Sequence, residues 1–204
     1  FAVDDPIVTG NMSMLEATER EGMVWGTGWI ADGIWNYFAS FYGHAWLWLG
    51  RGSKAADSLY AFANHASPLL CWREEQMPKG GGSNVVGDMP HNWASAEFIR
   101  LVRHMLVLER GTELHLCEAL PLEWLIPGKT LQLKNIQTEF GPIHFTISVN
   151  AGGTQAVVRL NALKRTVPSR IVLHRAAWSM DPSLLELPRG KDVKVLVSLK
   201  PRSR

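Results

Sequence analysis

The sequence has only two cysteines, Cys71 and Cys117, and they lack the paired spacing of a metal site. Nothing in their placement argues for a disulfide, so two buried free thiols are expected. No run of about 18 or more apolar residues occurs, which excludes a transmembrane helix and a membrane partner of that kind. Charge of one sign is also lacking: 21 basic residues face 19 acidic ones, for a formal charge of +2. Without a basic stripe there is no electrostatic case for nucleic acid. The terminal Lys200-Pro201-Arg202-Ser203-Arg204 reads as a frayed, solvated tail. A Gly-x-Ser-x-Gly motif and a dinucleotide fingerprint are both missing. The run Gly80-Gly81-Gly82 has neither the spacing nor the Lys-Ser/Thr of a phosphate loop. No metal or organic cofactor is implied.

What the chain has in excess is tryptophan. Eight of its nine Trp residues precede residue 125. Trp is both a large core anchor and a platform for stacking flat apolar ligand faces. The pattern along the chain divides with the same bias. Residues 1–108 are aromatic-rich and read as helical: a short helix over 12–21 closed by Gly22, a long one over 30–49, a third over 54–65 and a fourth over 92–108. The loop between the second and third is short, which makes them antiparallel neighbours. Residues 109–204 switch to period two. Ile143, Phe145, Ile147 and Val149 alternate with polar residues, as do Val193, Val195, Val197 and Leu199. Further strands are expected near 113–118, 129–135, 155–162 and 170–174, and about six short strands of this kind suggest a small antiparallel sandwich. The fold class expected is therefore α+β in two domains, 1–108 and 109–204.

Chemistry concentrates in three places. The long irregular stretch 66–90 carries Trp72-Arg73-Glu74-Glu75-Gln76. A long loop inside a compact region is usually functional or disordered. Paired carboxylates supply general acid–base chemistry, but neighbours on a chain point in different directions, so one of Glu74 and Glu75 would face a substrate. The same pair also reads as surface acids beside an arginine. The second place is Gly87-Asp88-Met89-Pro90-His91-Asn92-Trp93, where Asp88 or Asn92 could cap the following helix. His91 and Trp93 are not explained by capping. The third is Trp25, Trp29, Asp32, Trp35 and Asn36. If the helix starts early, Trp29, Asp32 and Asn36 share a face and join a stacking ring to two hydrogen-bonding groups. Otherwise they belong to a buried Trp cluster. Asn64-His65 reads as a helix end whose His satisfies orphan carbonyls.

The strings Trp72-Arg-Glu-Glu-Gln76 and Gly87-Asp-Met-Pro-His-Asn-Trp-Ala-Ser-Ala-Glu97, with the Gly-rich loop between them, resemble the C-terminal part of bacterial six-hairpin glycosidases. So does Gly26-Thr-Gly-Trp-Ile-Ala-Asp-Gly-Ile-Trp35 ahead of a helix. The order of segments over about residues 1–150 is similar to that of α-L-rhamnosidases and their relatives. The resemblance implies the last part of an (α/α)6 barrel closed by a small β-sandwich, and an inverting glycoside hydrolase acting on a carbohydrate. By position the base falls on Glu75 or Glu74. The rhamnosidase-like pattern has Glu directly after Trp, whereas Arg73 intervenes here. His91 and Asn92 correspond to a sugar-contacting segment, in the order His-Asn rather than Asn-His. Trp29, Asp32 and Trp35 would line the cleft, with Trp72, Arg73, Asp88 and Trp93 completing the substrate-binding set.

An (α/α)6 barrel is built from helical hairpins repeated six times, and the periodicity above yields four helices. The general acid of such enzymes lies upstream. The chain opens Phe1-Ala2-Val3-Asp4-Asp5-Pro6, without Met and in mid-element. The expectation is a C-terminal fragment whose partner is the missing N-terminal part of the same barrel. Two other readings stand beside it. A polysaccharide lyase would recruit Tyr42, His91, Asn92 and Arg73, although the acidic pair would repel an anionic substrate. A non-catalytic carbohydrate-binding or structural module would rest on the β domain, where Trp178 is a thin sugar platform.

Overall fold

The computed structural model describes residues 2–26 and 28–202. Thr27 of the Gly26–Trp35 segment, Ser203 and Arg204 of the basic tail, and Phe1 lie outside them. The chain is α+β and divides into two compact units, Phe1–His104 and Met105–Arg204.

The first unit begins with α1 (Pro6–Ala17). Asp5 caps it, its side chain accepting the Ile7 N–H at 2.8 Å, and Pro6 sits where a missing N–H costs nothing. The helix expected over 12–21 is therefore displaced upstream. It stops at Thr18 because Glu19–Arg20 (β1) turns back to pair with Met23–Val24 (β2). Glu21 and Gly22 between them hold φ of 55° and 75°, the two left-handed residues of a type I′ hairpin.

The helix expected over 30–49 also begins late. Ile34–Trp35 forms a strand, β3, and α2 covers Asn36–Trp48. α3 (Gly52–Asn64) follows and packs along α2. His65 ends α3 with Nδ1 at 2.7 Å from the Ala61 carbonyl, the helix-end role expected of it, and Nε2 at 2.9 Å from Glu21. The stretch 66–90 is not wholly irregular. Glu75–Gln76 (β4) pairs with β3 on one side and with Val85–Val86 (β5) on the other, both antiparallel. α4 (Asn92–Leu106) completes the helical part, two residues shorter than expected because Val107 and Leu108 already belong to a strand. Met23, Ile34, Tyr37, Phe62, Trp72 and Ala94 form one core of this unit. A second contact holds α2 and α4 together: a Cβ added to Gly43 would come within 2.8 Å of the Leu101 side chain.

The second unit contains two four-stranded sheets. One is built from Thr130–Ile136 (β8), Ile143–Val149 (β9), Gln155–Leu160 (β10) and Val193–Ser198 (β13), in the order β13-β10-β9-β8 and antiparallel throughout. Ile143, Phe145, Ile147 and Val149 are buried while their neighbours are not, as the period-two alternation predicts. The other sheet has the order β12-β11-β7-β6, from Val107–Arg110 (β6), Glu113–Leu116 (β7), Arg170–Leu173 (β11) and Leu185–Glu186 (β12). Here β7 and β11 run parallel, which corrects the all-antiparallel expectation. Two strands, β6 and β12, were not anticipated. β6 continues directly out of α4, and β12 has only two residues. Both are too short or too closely joined to a helix to show a period. Cys71 and Cys117 are free thiols, Cys117 fully buried and its thiol pushed up by that burial. No helix among the described residues is long and apolar enough to cross a membrane.

Candidate functional site

The small sheet β3-β4-β5 sorts the acidic pair. Glu75 lies on the central strand, opposite Trp35 and Val86. Its side chain is completely buried. Oε2 accepts the Trp29 N–H at 2.9 Å and Oε1 the Ile30 N–H at 2.8 Å. The turn wraps the carboxylate so closely that a Cβ on Gly33 would stand 2.9 Å from Oε1. Both oxygens are thus spent on the backbone of the Gly28–Ile30 turn. Glu75 is a structural anchor in this arrangement, and its expected catalytic role loses the accessible oxygen it needs.

Glu74 points elsewhere. Its backbone is fixed by two bonds: its N–H donates to the Asp88 carbonyl at 3.2 Å, and its carbonyl accepts the Asn36 N–H at 3.0 Å. The carboxylate is partly exposed and meets Asp88 and His91, with one ligand atom from each of the three within 4.8 Å of the others. His91 precedes α4, and its N–H donates to the Trp72 carbonyl at 2.7 Å. Its Nδ1 lies 2.7 Å from Asp88 Oδ1, whereas its Nε2 is buried without a partner. The His91 hydrogen bond, with Arg73 nearby, holds the Asp88 carboxyl below the usual carboxylate range.

An aromatic row runs beside these groups. Trp29 meets Trp35 edge-on at 5.3 Å, and Trp35 meets Tyr37 edge-on at 4.6 Å. Tyr37 stacks on Trp93 at 4.4 Å with the planes 6° apart, and on His91 at 5.6 Å. Trp29 is 67% exposed and Trp93 52%, so the two ends of the row face solvent. Burial pushes the Tyr37 hydroxyl up, and the charges of Glu74 and Glu75 add to it. Tyr37 was not singled out in the sequence, though its position two residues past Trp35 was a visible signal.

The remaining expected residues separate. Trp72 is in the core: it packs against Phe62 and Phe98, and its Nε1 donates to the Phe62 carbonyl at 2.8 Å. It has no face left for a sugar. Asp32 is exposed in the turn before β3, and because α2 begins only at Asn36, Trp29, Asp32 and Asn36 do not form a helical face. Asn36 is buried instead, its Nδ2 donating to the Arg73 carbonyl at 2.7 Å. Arg73 bonds the Gly87 carbonyl at 3.3 Å, tying the two loop segments together. Asn92 is exposed as the first residue of α4, and the His91 carbonyl accepts the Ser95 N–H at 3.2 Å. Tyr42 is buried and donates to Glu19 at 2.8 Å, its hydroxyl pushed far up by burial, which leaves it unsuited to serve as a lyase base. Trp178 is wholly buried, with Nε1 bonded to the His174 carbonyl, and offers no sugar platform. A cleft of about 720 Å³ lined by Met12, Glu16, Trp46 and Arg51 contains none of the candidate residues.

The sequence matches no protein-family model and no curated protein.

Proposed function

We propose that this chain is the C-terminal part of a glycoside hydrolase, in which Glu74 is the carboxylate that activates water and the aromatic row with His91 holds the sugar. The observation that carries the reading is the partly exposed Glu74–Asp88–His91 cluster beside a row of rings open at Trp29 and Trp93. Flat apolar sugar faces stack on such rings, while a carboxylate and an imidazole edge bond the hydroxyls. Asp88 acts through His91, fixing its ring through Nδ1 while Nε2 stays buried without a partner.

Asp88 is not the second catalytic carboxyl. Its oxygen lies within 4.8 Å of Glu74. Retaining pairs stand about 5–5.5 Å apart and inverting pairs about 6.5–9.5 Å, to admit the substrate and, in inverting enzymes, a water. A general acid also needs a raised pKa, whereas Asp88 is held low. On this reading the acid comes from the N-terminal part of the same barrel. The four helices of the described residues fit part of an (α/α)6 toroid, with Phe41 and Ile99 left in solvent on α2 and α4. The two sheets of the second unit fit a small sandwich.

The test uses the parent polypeptide and a panel of glycosides. Glu74→Gln should abolish release of reducing sugar, a loss of at least about a thousandfold, while the protein stays folded. The 204-residue chain alone should release none. Full activity in Glu74→Gln, or turnover by the 204-residue chain, overturns the assignment. An unsaturated, ultraviolet-absorbing product would identify a lyase instead.

A further inference from the structure

The second unit holds a cluster that the proposed hydrolase site does not use. In the parallel β7–β11 pair, His115 stands level with Val172. Residues two apart on a strand share a face, so His174, one residue past β11, comes diagonally beside His115. His115 Nδ1 and His174 Nε2 meet at 2.8 Å. Glu118, in the turn after β7, brings Oε2 to 4.0 Å from His174 Nε2. One ligand atom from each of the three lies within 4.8 Å of the others.

The surroundings set the tautomer. His115 Nε2 lies 3.0 Å from Glu113 Oε2. A carboxylate only accepts, so Nε2 carries the hydrogen and the Nδ1 lone pair is aimed at His174. An outer carboxylate orients metal-bound imidazoles in the same way. Glu113 is in turn held by Arg170 at 3.2 Å. Glu118 is almost fully buried, and its oxygens accept Arg110 Nε at 3.1 Å and Nη2 at 2.5 Å.

We propose that His115 Nδ1, His174 Nε2 and Glu118 Oε2 form a binding site for a divalent transition-metal ion, Zn²⁺ foremost. Two imidazoles and one carboxylate suit Zn²⁺, whereas Ca²⁺ and Mg²⁺ take oxygen ligands. Tetrahedral zinc with bonds of about 2.0–2.2 Å sets its ligand atoms roughly 3.3 Å apart. The two ring nitrogens must open by about half an ångström, and Glu118 must close on His174 Nε2 by about 0.7 Å, movements of the side chains alone. His174 then carries its hydrogen on Nδ1, and water takes the fourth position. Bound there, the ion ties the turn after β7 to the end of β11.

The test titrates the full 204-residue chain, stripped of metal by a chelator, with Zn²⁺ by calorimetry and with Co²⁺ by visible absorption. One equivalent should bind, Co²⁺ should show the intense bands of four-coordination, and the melting temperature should rise. His174→Gln and His115→Ala should each weaken Zn²⁺ at least about a hundredfold, and Glu113→Gln about tenfold through loss of the tautomer lock. His91→Ala, in the other His–carboxylate cluster of the described residues, should leave Zn²⁺ affinity unchanged. If a variant fails to fold, imidazole nitrogen resonances of the unaltered protein decide: those of His115 and His174 should shift with one equivalent of Zn²⁺. Absence of micromolar binding, a six-coordinate Co²⁺ spectrum, or binding lost in His91→Ala and kept in His174→Gln overturns the proposal.

Discussion

Glu74 and Glu75 are adjacent and chemically identical, yet their surroundings give them opposite work. Glu75 accepts two backbone N–H groups inside the protein. Replacing it by Gln puts an amide N–H against one of those donors. Hydrogen bonds to charged groups contribute about 1.5–3 kcal/mol each, so Glu75→Gln should destabilise the first unit by about 3 kcal/mol. Glu74→Gln, partly exposed, should stay within about 1 kcal/mol of the parent. Urea unfolding of the two variants separates these roles, and equal losses would contradict them. That only one of the pair faces outward follows from strand alternation and was legible. Which one it is depends on β4 pairing with β3 and β5, the first of them 40 residues away, from Trp35 to Glu75, and no local pattern encodes that. His44 gives a pH dependence at the same scale. It is buried between α2 and α4, with Nδ1 at 2.8 Å from the Ser40 carbonyl and Nε2 at 2.9 Å from His104 Nδ1. Burial lowers its pKa first, with Arg100 adding to the effect, against the Ser40 carbonyl and Glu97, which favour the proton. Below the unfolded imidazole value of about 6.5 the unfolded chain binds a proton that the folded one resists, so stability falls as pH drops through that window. One such proton changes stability by at most about 1.4 kcal/mol per pH unit. Urea midpoints should decline between about pH 7 and pH 5, with a shallower slope in His44→Gln.

Elements were legible where their signals are local. The alternation of β9 and the short α2–α3 connection both appear as read. α1 lies upstream of its expected range although its start carries a strong signal, Asp5-Pro6; Gly22, which reads in the sequence as a helix stop, is the second residue of a hairpin turn. α2 lost its first six expected residues because Ile34–Trp35 finds strand partners in β4, a tertiary pairing that overrides the helical period of 30–35. The same tension between local preference and packing separates two helical glycines. Gly10 in α1 has nothing within 4 Å of an added Cβ, while Gly43 in α2 would meet Leu101 at 2.8 Å. Ala at position 10 should stabilise by about 0.5–1 kcal/mol through propensity alone. At position 43 the same gain is opposed by overpacking of about 1–3 kcal/mol against a fully buried Leu, so Gly43→Ala should destabilise by about 1 kcal/mol. Thermal melts with opposite signs for the two substitutions check this.

At the scale of the whole molecule, the shift from helical to period-two spacing announced two parts, and the two compact units meet at His104/Met105, inside the last turn of α4. What the composition did not announce is how each candidate residue would be used. Trp is equally at home in a core and on a platform, so Trp72 and Trp93, alike in sequence, end in opposite surroundings. The uneven Trp distribution nevertheless makes the units separable by experiment. Seven of the nine, from Trp25 to Trp93, belong to the first unit, and Trp124 and Trp178 to the second. Indole emission therefore reports mainly on the first unit, while far-ultraviolet dichroism reports on both. Ile147 is fully buried on β9, in the second unit. Ile147→Ala removes three heavy atoms from a core and should cost about 2–5 kcal/mol, with Ile147→Val about 0.5–1.5. Because each unit has its own core, that loss belongs to the unfolding of the second unit. The dichroism midpoint should fall and its transition broaden or split, while most of the emission change keeps its midpoint. Emission and dichroism falling together by the same amount would mean instead that the two units unfold as one cooperative body, and that the core around Ile147 sustains both.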